Sequence, residues 1–269
     1  GGFFISTQAY PLHLALALIC LHIKSKLFMF EINNSKLFKM KKTLLFVFLL
    51  SINNLIGQNM SFRVWEIKVK DQAKAGLLRL FDDHFKVAEI KENGAILLEE
   101  YKVGAPREMT HRIIFLNEIG RIGDMITNKS EAEKKLFWER VKNKIDKWGS
   151  TFSGRMLSWH PGDFSKFPSI HLWHIKPNNP MQFKNAHDKF VESAGSYFDG
   201  KAIGFGTIDI GSPDGSSHWV AFAAEKYSLI KMHHDFDTRF GKLQQEWWKS
   251  NGGVEISDDF SVLNLRTYQ

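Results

Sequence analysis

Histidine is the side chain of this 269-residue sequence whose ordinary titration lies nearest neutrality, and the chain has eleven. Two of them, His111 and His218, hold the same place in segments that align without a gap. The segment AILLEEYKVGAPREMTHRIIF (95–115) lies over AIGFGTIDIGSPDGSSHWVAF (202–222), with identities at Ala95/Ala202, Ile96/Ile203, Gly104/Gly211, Pro106/Pro213, His111/His218 and Phe115/Phe222. A histidine kept while its neighbours differ can be a general base or proton shuttle, one in each half. It can equally be a hairpin residue that hydrogen-bonds the nearby Gly-x-Pro turn, and neither histidine has a carboxylate close in sequence to tune it as a base.

Other constellations give less. His171-Leu-Trp-His174 has the spacing of a ligand pair, but on a strand an odd separation sends the two rings to opposite faces. His233 and Asp237 share a helix face in His233-His234-Asp235-Phe-Asp237, without third or fourth ligands in view, so no metal set is expected. Gly204-Phe-Gly206 sits within a strand rather than at a strand-to-helix turn and is no phosphate loop. There is no Gly-x-Ser-x-Gly elbow. Trp247 and Trp248 end a helix about 100° apart, so at least one belongs to a core.

The elements that must position these residues come from a repeat. Beyond the aligned hairpins, Trp65-x-Ile67-Lys68 matches Trp173-x-Ile175-Lys176, and Phe152-Ser153-x3-Leu157 matches Phe260-Ser261-x3-Leu265, both at an offset of 108. Each copy reads as strand (62–69; 170–175), helix (72–86; 181–198), hairpin (95–103 with 110–116; 202–210 with 218–224), helix (130–148; 228–249) and strand (152–159; 260–268). Asn178-Asn179-Pro180 supplies a helix start, and Asp214-Gly215 a turn. This βαββαβ order is the ferredoxin-like unit. It covers one sheet face with helices and leaves the other needing a partner, which a second copy provides. The predicted fold class is α+β: two ferredoxin-like repeats, 61–160 and 169–269, joined by a linker at 161–168 and packed sheet to sheet as a single-chain pseudo-dimeric barrel.

Strand alternation sorts the side chains. Trp65, Ile67, Val69 and Trp173, Ile175 belong under helices, which turns Glu66 and His174 inward. In the last strands Leu157, Trp159 and Leu263, Leu265 form the apolar set. Met156, Ser158, His160 and Asn264, Arg266, Tyr268 lie opposite. The candidate catalytic residues are therefore His111, His218 and His174. The candidate ligand-binding residues are Glu66, Ser158, His160, Asn264, Arg266 and Tyr268, since polar groups inside a barrel must be paired or meet a ligand.

In topology and internal symmetry the chain resembles the dimeric α+β barrel superfamily in tandem form. That superfamily includes antibiotic-biosynthesis-monooxygenase-like proteins and chlorite-dismutase-like haem proteins. The resemblance implies a site in the cleft between a sheet and its partner elements. It carries no catalytic motif with it, and fold alone does not give function. No cofactor is predicted. Haem of the chlorite-dismutase kind would need a proximal histidine, for which His174, His187 and His234 are available.

The first 60 residues read differently. Residues 1–39 look like upstream translation. From Met40 the chain has Lys41-Lys42, an apolar run to Ile52 and Gly57 before Gln58, the parts of a secretory signal at 40–57. That run is shorter than the about 20 apolar residues a membrane span needs, and an uncleaved anchor is the alternative. The chain has 36 basic and 29 acidic residues, but residues 1–60 hold six of the lysines and one acid, leaving 30 basic against 28 acidic and a net of +2. So weak a balance argues against nucleic-acid binding. The single cysteine, Cys20, also falls in this leader, so the rest has no thiol chemistry. The expectation is an exported monomer, periplasmic or extracellular, with an internal pseudo-dimer, no membrane span in the mature chain and an unidentified small molecule as partner. It is either a cofactor-independent oxygenase of an aromatic or apolar substrate or a non-enzymatic binding protein. A haem or metal enzyme is the third reading.

Overall fold

The computed structural model describes residues 59–269, so the leader read at 40–57 and the segment before it lie outside the described residues. The first copy contains β1 (Met60–Val69), α1 (Lys74–Phe85), β2 (Ala95–Val103), β3 (His111–Glu118), α2 (Glu131–Lys142) and β4 (Ile145–His160). The second contains β5 (Ser169–Pro177), α3 (Pro180–Ala194), β6 (Ile203–Ile210), β7 (His218–Ala224), α4 (Leu229–Thr238), α5 (Gly241–Ser250) and β8 (Val254–Tyr268). Local chemistry sets the helix starts. Ser130 and Glu133 cap α2 reciprocally, and Asn179 accepts from Gln182 N–H ahead of Pro180 at the start of α3.

The eight strands close into one antiparallel barrel in the order β1-β3-β2-β8-β5-β7-β6-β4, with β4 pairing back to β1. Closure depends on two long strands. β4 has 16 residues and β8 has 15, each longer than any other strand. β4 pairs with β1 of its own repeat and β6 of the other, while β8 pairs with β5 and β2. The helix expected over 130–148 in the first copy is shorter. It stops at Lys142, and residues 145–151 extend β4 along the end of β1. In the second copy the single helix expected over 228–249 is two. Arg239 and Phe240 both donate their N–H to Asp235 O, which ends α4 and lets α5 turn off at Gly241.

The barrel has two kinds of interior. Its lumen is packed by Phe62, Val64, Leu97, Met156, Leu172 and Phe260, with Phe164 and Phe167 of the inter-repeat segment against them. Outside the wall, each repeat has its own core between sheet and helices. Ile67, Leu77, Phe81 and Ile113 anchor the first, and Ile175, Phe183, Val220 and Phe222 the second. Gly204 and Gly206 have a packing role: a Cβ on either would stand 2.7 Å from the indole of Trp219, which fills the lumen beside them.

Two β-bulges overturn part of the expected facing. Between Met156 and Ser158 the β4–β6 register slips, leaving Leu157 as an extra residue. Beyond it Ser158 and His160 pair with the outward-facing Phe205 and Ile203, and Trp159 turns into the lumen opposite Gly204. Between Asn264 and Arg266 the β2–β8 register slips in the same way at Leu265. A bulged residue shifts the alternation by one, so everything after it changes face. Ser158, His160, Arg266 and Tyr268 are thus outside the lumen. Glu66, His174, Met156 and Asn264 lie on the lumen face, as the alternation predicts.

Candidate functional site

The nine residues singled out from the sequence do not converge. Glu66 lies in the lumen, accepts from Tyr101 Oη at 2.8 Å and is tied to Ser150 N–H at 3.3 Å. His174, also in the lumen, meets Asp214. Asn264 faces the lumen across from Glu99 and accepts from Thr267 Oγ1 at 3.2 Å. Arg266 and Tyr268 clamp Asp82 of α1, with Nε and Oη each 2.8 Å from Asp82 Oδ1. His111 and His218 lie on the outer wall, one in each repeat. Each ring nitrogen Nδ1 meets the hydroxyl of the preceding residue, Thr110 at 2.9 Å and Ser217 at 2.8 Å, so the contact is to that hydroxyl rather than to the Gly-x-Pro turn. Burial pushes His111 down to about 4 and lowers His218 as well.

A different group of residues does converge. Between the outer face of the second repeat's sheet and its helices lies a cavity of about 240 Å³. Its walls are mostly aromatic: Trp173 from β5, Phe222 from β7, Phe183 and Phe190 from α3, Phe236 from α4 and Trp247 from α5. The polar side chains on it are His187, His233 and Gln244. Phe222 sits between the two histidines, 5.9 Å from His187 and 6.0 Å from Trp173, which is itself 5.9 Å from His233.

Each histidine is wired to a carboxylate. His233 Nε2 lies 2.8 Å from His171 Nδ1, and His171 Nε2 bonds Asp259 Oδ1. His171 stacks on Trp173 with ring centroids 3.7 Å apart, and burial pushes its pKa down against the pull of Asp259. A neutral His171 donates Nε2–H to Asp259 and keeps a lone pair on Nδ1. His233 must then donate Nε2–H to it, which leaves the lone pair of His233 on Nδ1. His187, 2% exposed on the apolar stripe of α3, has Nδ1 3.2 Å from Asp188 Oδ1. Burial would raise Asp188, but His187, Lys184 and Ser158 outweigh it and hold the acid far below the usual carboxylate range. His187 therefore donates Nδ1–H, and its Nε2 is buried with no hydrogen-bond partner. Ser158 and His160 end up behind this pair. Ser158 Oγ is buried near Asp188, has no hydrogen-bond partner among the described residues and helps to hold that acid ionised.

An apolar cavity lined by two imidazoles suits a ligand with an aromatic body and hydroxyl groups. Sequence reasoning missed this set, although its members were visible: His171 is two residues from Trp173 and so shares its face, and His187 falls four residues after Phe183 in an apolar helix stripe.

No protein-family model matches the chain, and no curated protein matches it in sequence. Solved structures do match in three dimensions. A candidate monooxygenase from Lactobacillus acidophilus NCFM aligns with TM-score 0.55 at 11% identity, over 78% of this chain and 96% of that one. Another candidate monooxygenase, from Fusobacterium nucleatum, aligns with TM-score 0.53 at 14% identity, over 78% and 94%. With the closed antiparallel barrel, these likenesses decide the fold. It is a dimeric α+β barrel, closed within one chain.

The sheet–helix clefts of the two repeats differ. The first has a cavity of about 200 Å³ lined by Arg63, His84, Lys134 and the edge-to-face pair Trp65 and Trp138, with no histidine–carboxylate relay among the described residues. Haem fits the cavity of the second repeat poorly. The 240 Å³ of the second cavity is below the roughly 300–1,000 Å³ of sites for drug-sized ligands, and no Lys or Arg lines it to meet propionates. Of the three histidines that could have served haem, only His187 lines it, while His174 lies on the other side of the wall. Among the described residues, no helix is long and apolar enough to cross a membrane.

Proposed function

We propose that this dimeric α+β barrel binds a small phenolic molecule in the sheet–helix cavity of its second repeat and oxygenates it without an organic cofactor. The observation that carries the proposal is the His233–His171–Asp259 relay ending in an aromatic cavity beside the unpartnered Nε2 of His187. His187 Nε2 accepts one hydroxyl of the ligand and fixes its ring over Phe222. His233 Nδ1 takes the proton of another hydroxyl, and His171 with Asp259 stabilises the imidazolium that forms. The phenolate adds dioxygen at the para carbon. The hydroperoxide that results loses water as the ring carbon becomes a carbonyl, so a phenol and O₂ give a quinone and one H₂O. Exclusion of water by the aromatic walls strengthens each of these polar contacts.

Oxygen uptake on a panel of mono- and dihydroxy aromatics tests this, with quenching of tryptophan fluorescence as a separate measure of binding. His233→Phe should bind and not turn over. No oxygen consumption and no quenching by any phenol would sink the proposal. A plain binding protein, for which the orphan His187 Nε2 speaks as strongly, would show quenching without uptake. Export belongs to the same proposal and rests on the Met40–Gln58 pattern. Fractionation of the native host that finds the chain in the cytoplasm would remove it.

A further inference from the structure

A second cluster of ligating side chains lies across the barrel wall from this cavity. His174 of β5, Asp214 of the β6–β7 turn and Asp258 of β8 bring one nitrogen and two carboxylates within 4.8 Å of one another. His174 is 2% exposed, with Nδ1 2.7 Å from Asp214 Oδ2. Its ring stands edge-on to Phe152 and Phe260, at 5.5 and 5.1 Å, which holds it in place.

The duplication supplies an internal comparison. At the offsets that relate the repeats, these positions are Glu66, Arg107 and Ser150 in the first copy. There the corner carries its own cation: Arg107 donates to Ser150 Oγ, and Ser150 N–H donates to Glu66 Oε2. The second copy offers two carboxylates and an imidazole with no Arg or Lys at these positions, and Lys176 of the same strand is engaged by Glu255 at 3.0 Å. One more group is unexplained. Ser216 is 2% exposed and gives its N–H to Asp214 Oδ1 at 2.9 Å. Its Oγ is buried with no hydrogen-bond partner, though close enough to help hold Asp214 ionised.

We infer that His174, Asp214 and Asp258 form a binding site for a divalent first-row transition cation, with Ser216 Oγ beside it. One imidazole and two carboxylates make a three-ligand set of the kind that leaves a coordination position open, and the mixture suits Zn²⁺ or Mn²⁺. Binding at His174 Nδ1 replaces its hydrogen bond to Asp214, with the ring N–H on Nε2. The 2.7 Å separation of His174 and Asp214 must widen to roughly 3–3.5 Å, because metal–ligand bonds of about 2.0–2.2 Å set that spacing.

Tag-free protein titrated with Co²⁺ and Zn²⁺, followed by visible absorption and calorimetry, tests the site. One equivalent should bind, and Asp214→Asn and Asp258→Asn should each weaken binding at least about 100-fold, on the scale of losing a direct ligand. Absence of stoichiometric binding of Co²⁺, Zn²⁺ and Mn²⁺ overturns the inference, as does binding that survives both substitutions. If a variant does not fold, histidine-ring NMR of the wild-type protein replaces it. Zn²⁺ must then shift the His174 ring, and shifts confined to other histidines overturn the site.

Discussion

His233 Nε2 faces His171 Nδ1 at 2.8 Å, so the state of a ring in the cavity depends on Asp259, a carboxylate it does not touch. With Asp259 removed, His171 can turn an Nδ1–H toward His233 and reverse the wiring. In Asp259→Ala, turnover should fall on the order of 10²-fold, the lower end of what a positioned base supplies. Ligand affinity, read by quenching of Trp173, Trp247 and Trp248, should change little. Equal losses in both measurements would make the relay a structural feature only.

The depressed pKa of His111 is a statement about stability. Its folded value of about 4 lies below the ordinary 6.5, so the unfolded chain takes up the proton first. This contribution is intact above pH 6.5 and is lost as the pH falls from 6.5 toward 4, by up to about 3 kcal/mol at 1.36 kcal/mol per unit. His111→Phe keeps the Thr110 Oγ1 bond to Val69 N–H and removes the titrating ring. Urea midpoints at pH 7 and 4.5 should therefore converge in the variant relative to wild type. An unchanged gap would assign the acid sensitivity elsewhere.

The clamp on Asp82 joins β8 to α1. Arg266 and Tyr268 hold the acid down at about 2, against the opposing effect of burial. Asp82→Asn should lower stability by about 1–3 kcal/mol, the range for hydrogen bonds to a partly buried charge. The clamp stabilises fully above the ordinary carboxylate value of 3.8 and is lost as the pH falls through about 2. The difference between variant and wild type should thus shrink in strong acid, as unfolding at pH 7 and pH 2 would measure.

Gly206 leaves no room for a methyl group. A Cβ there would stand 2.1 Å from Arg155 O and 2.7 Å from Trp219 Nε1. Gly206→Ala should destabilise by about 1–3 kcal/mol, as overpacking of a full core does. Paired with Trp219→Phe it should recover part of that loss while the Arg155 contact remains. A neutral effect of the single substitution would mean that the wall gives way easily.

How far the sequence reached depends on where alternation held. Glu66 and His174 pair in unbroken register with β3 and β7, and the bulges beside them place the extra residue on β4 and β8, so their inward direction was legible from Trp65, Ile67, Trp173 and Ile175. Ser158, His160, Arg266 and Tyr268 follow bulges at Leu157 and Leu265, where an ordinary leucine takes the extra place and no Gly or Pro announces it. The repeat, the element order and the α+β class came through because they rest on many residues at once. The second-repeat cavity did not, because His171 meets Asp259 from 88 residues away and His233 from 62. His111 and His218 show why a repeat alone is ambiguous: a ring that packs against a wall and meets the preceding hydroxyl is preserved by the same symmetry that preserves a catalytic pair.

The sharing of β4 and β8 between the repeats governs how the chain can assemble. Tyr268 pairs with Ile96 across the β8–β2 seam, so the barrel cannot close until β8 has been made and has found β2. Loops that large close slowly, and until β8 is in place the edges of β2 and β5 are open to any other strand. A polypeptide ending near residue 168 would carry the edges of β2 and β4 open permanently and should associate with a second copy of itself. The fused duplication thus keeps within one molecule a pairing that separate halves could make only at sufficient concentration.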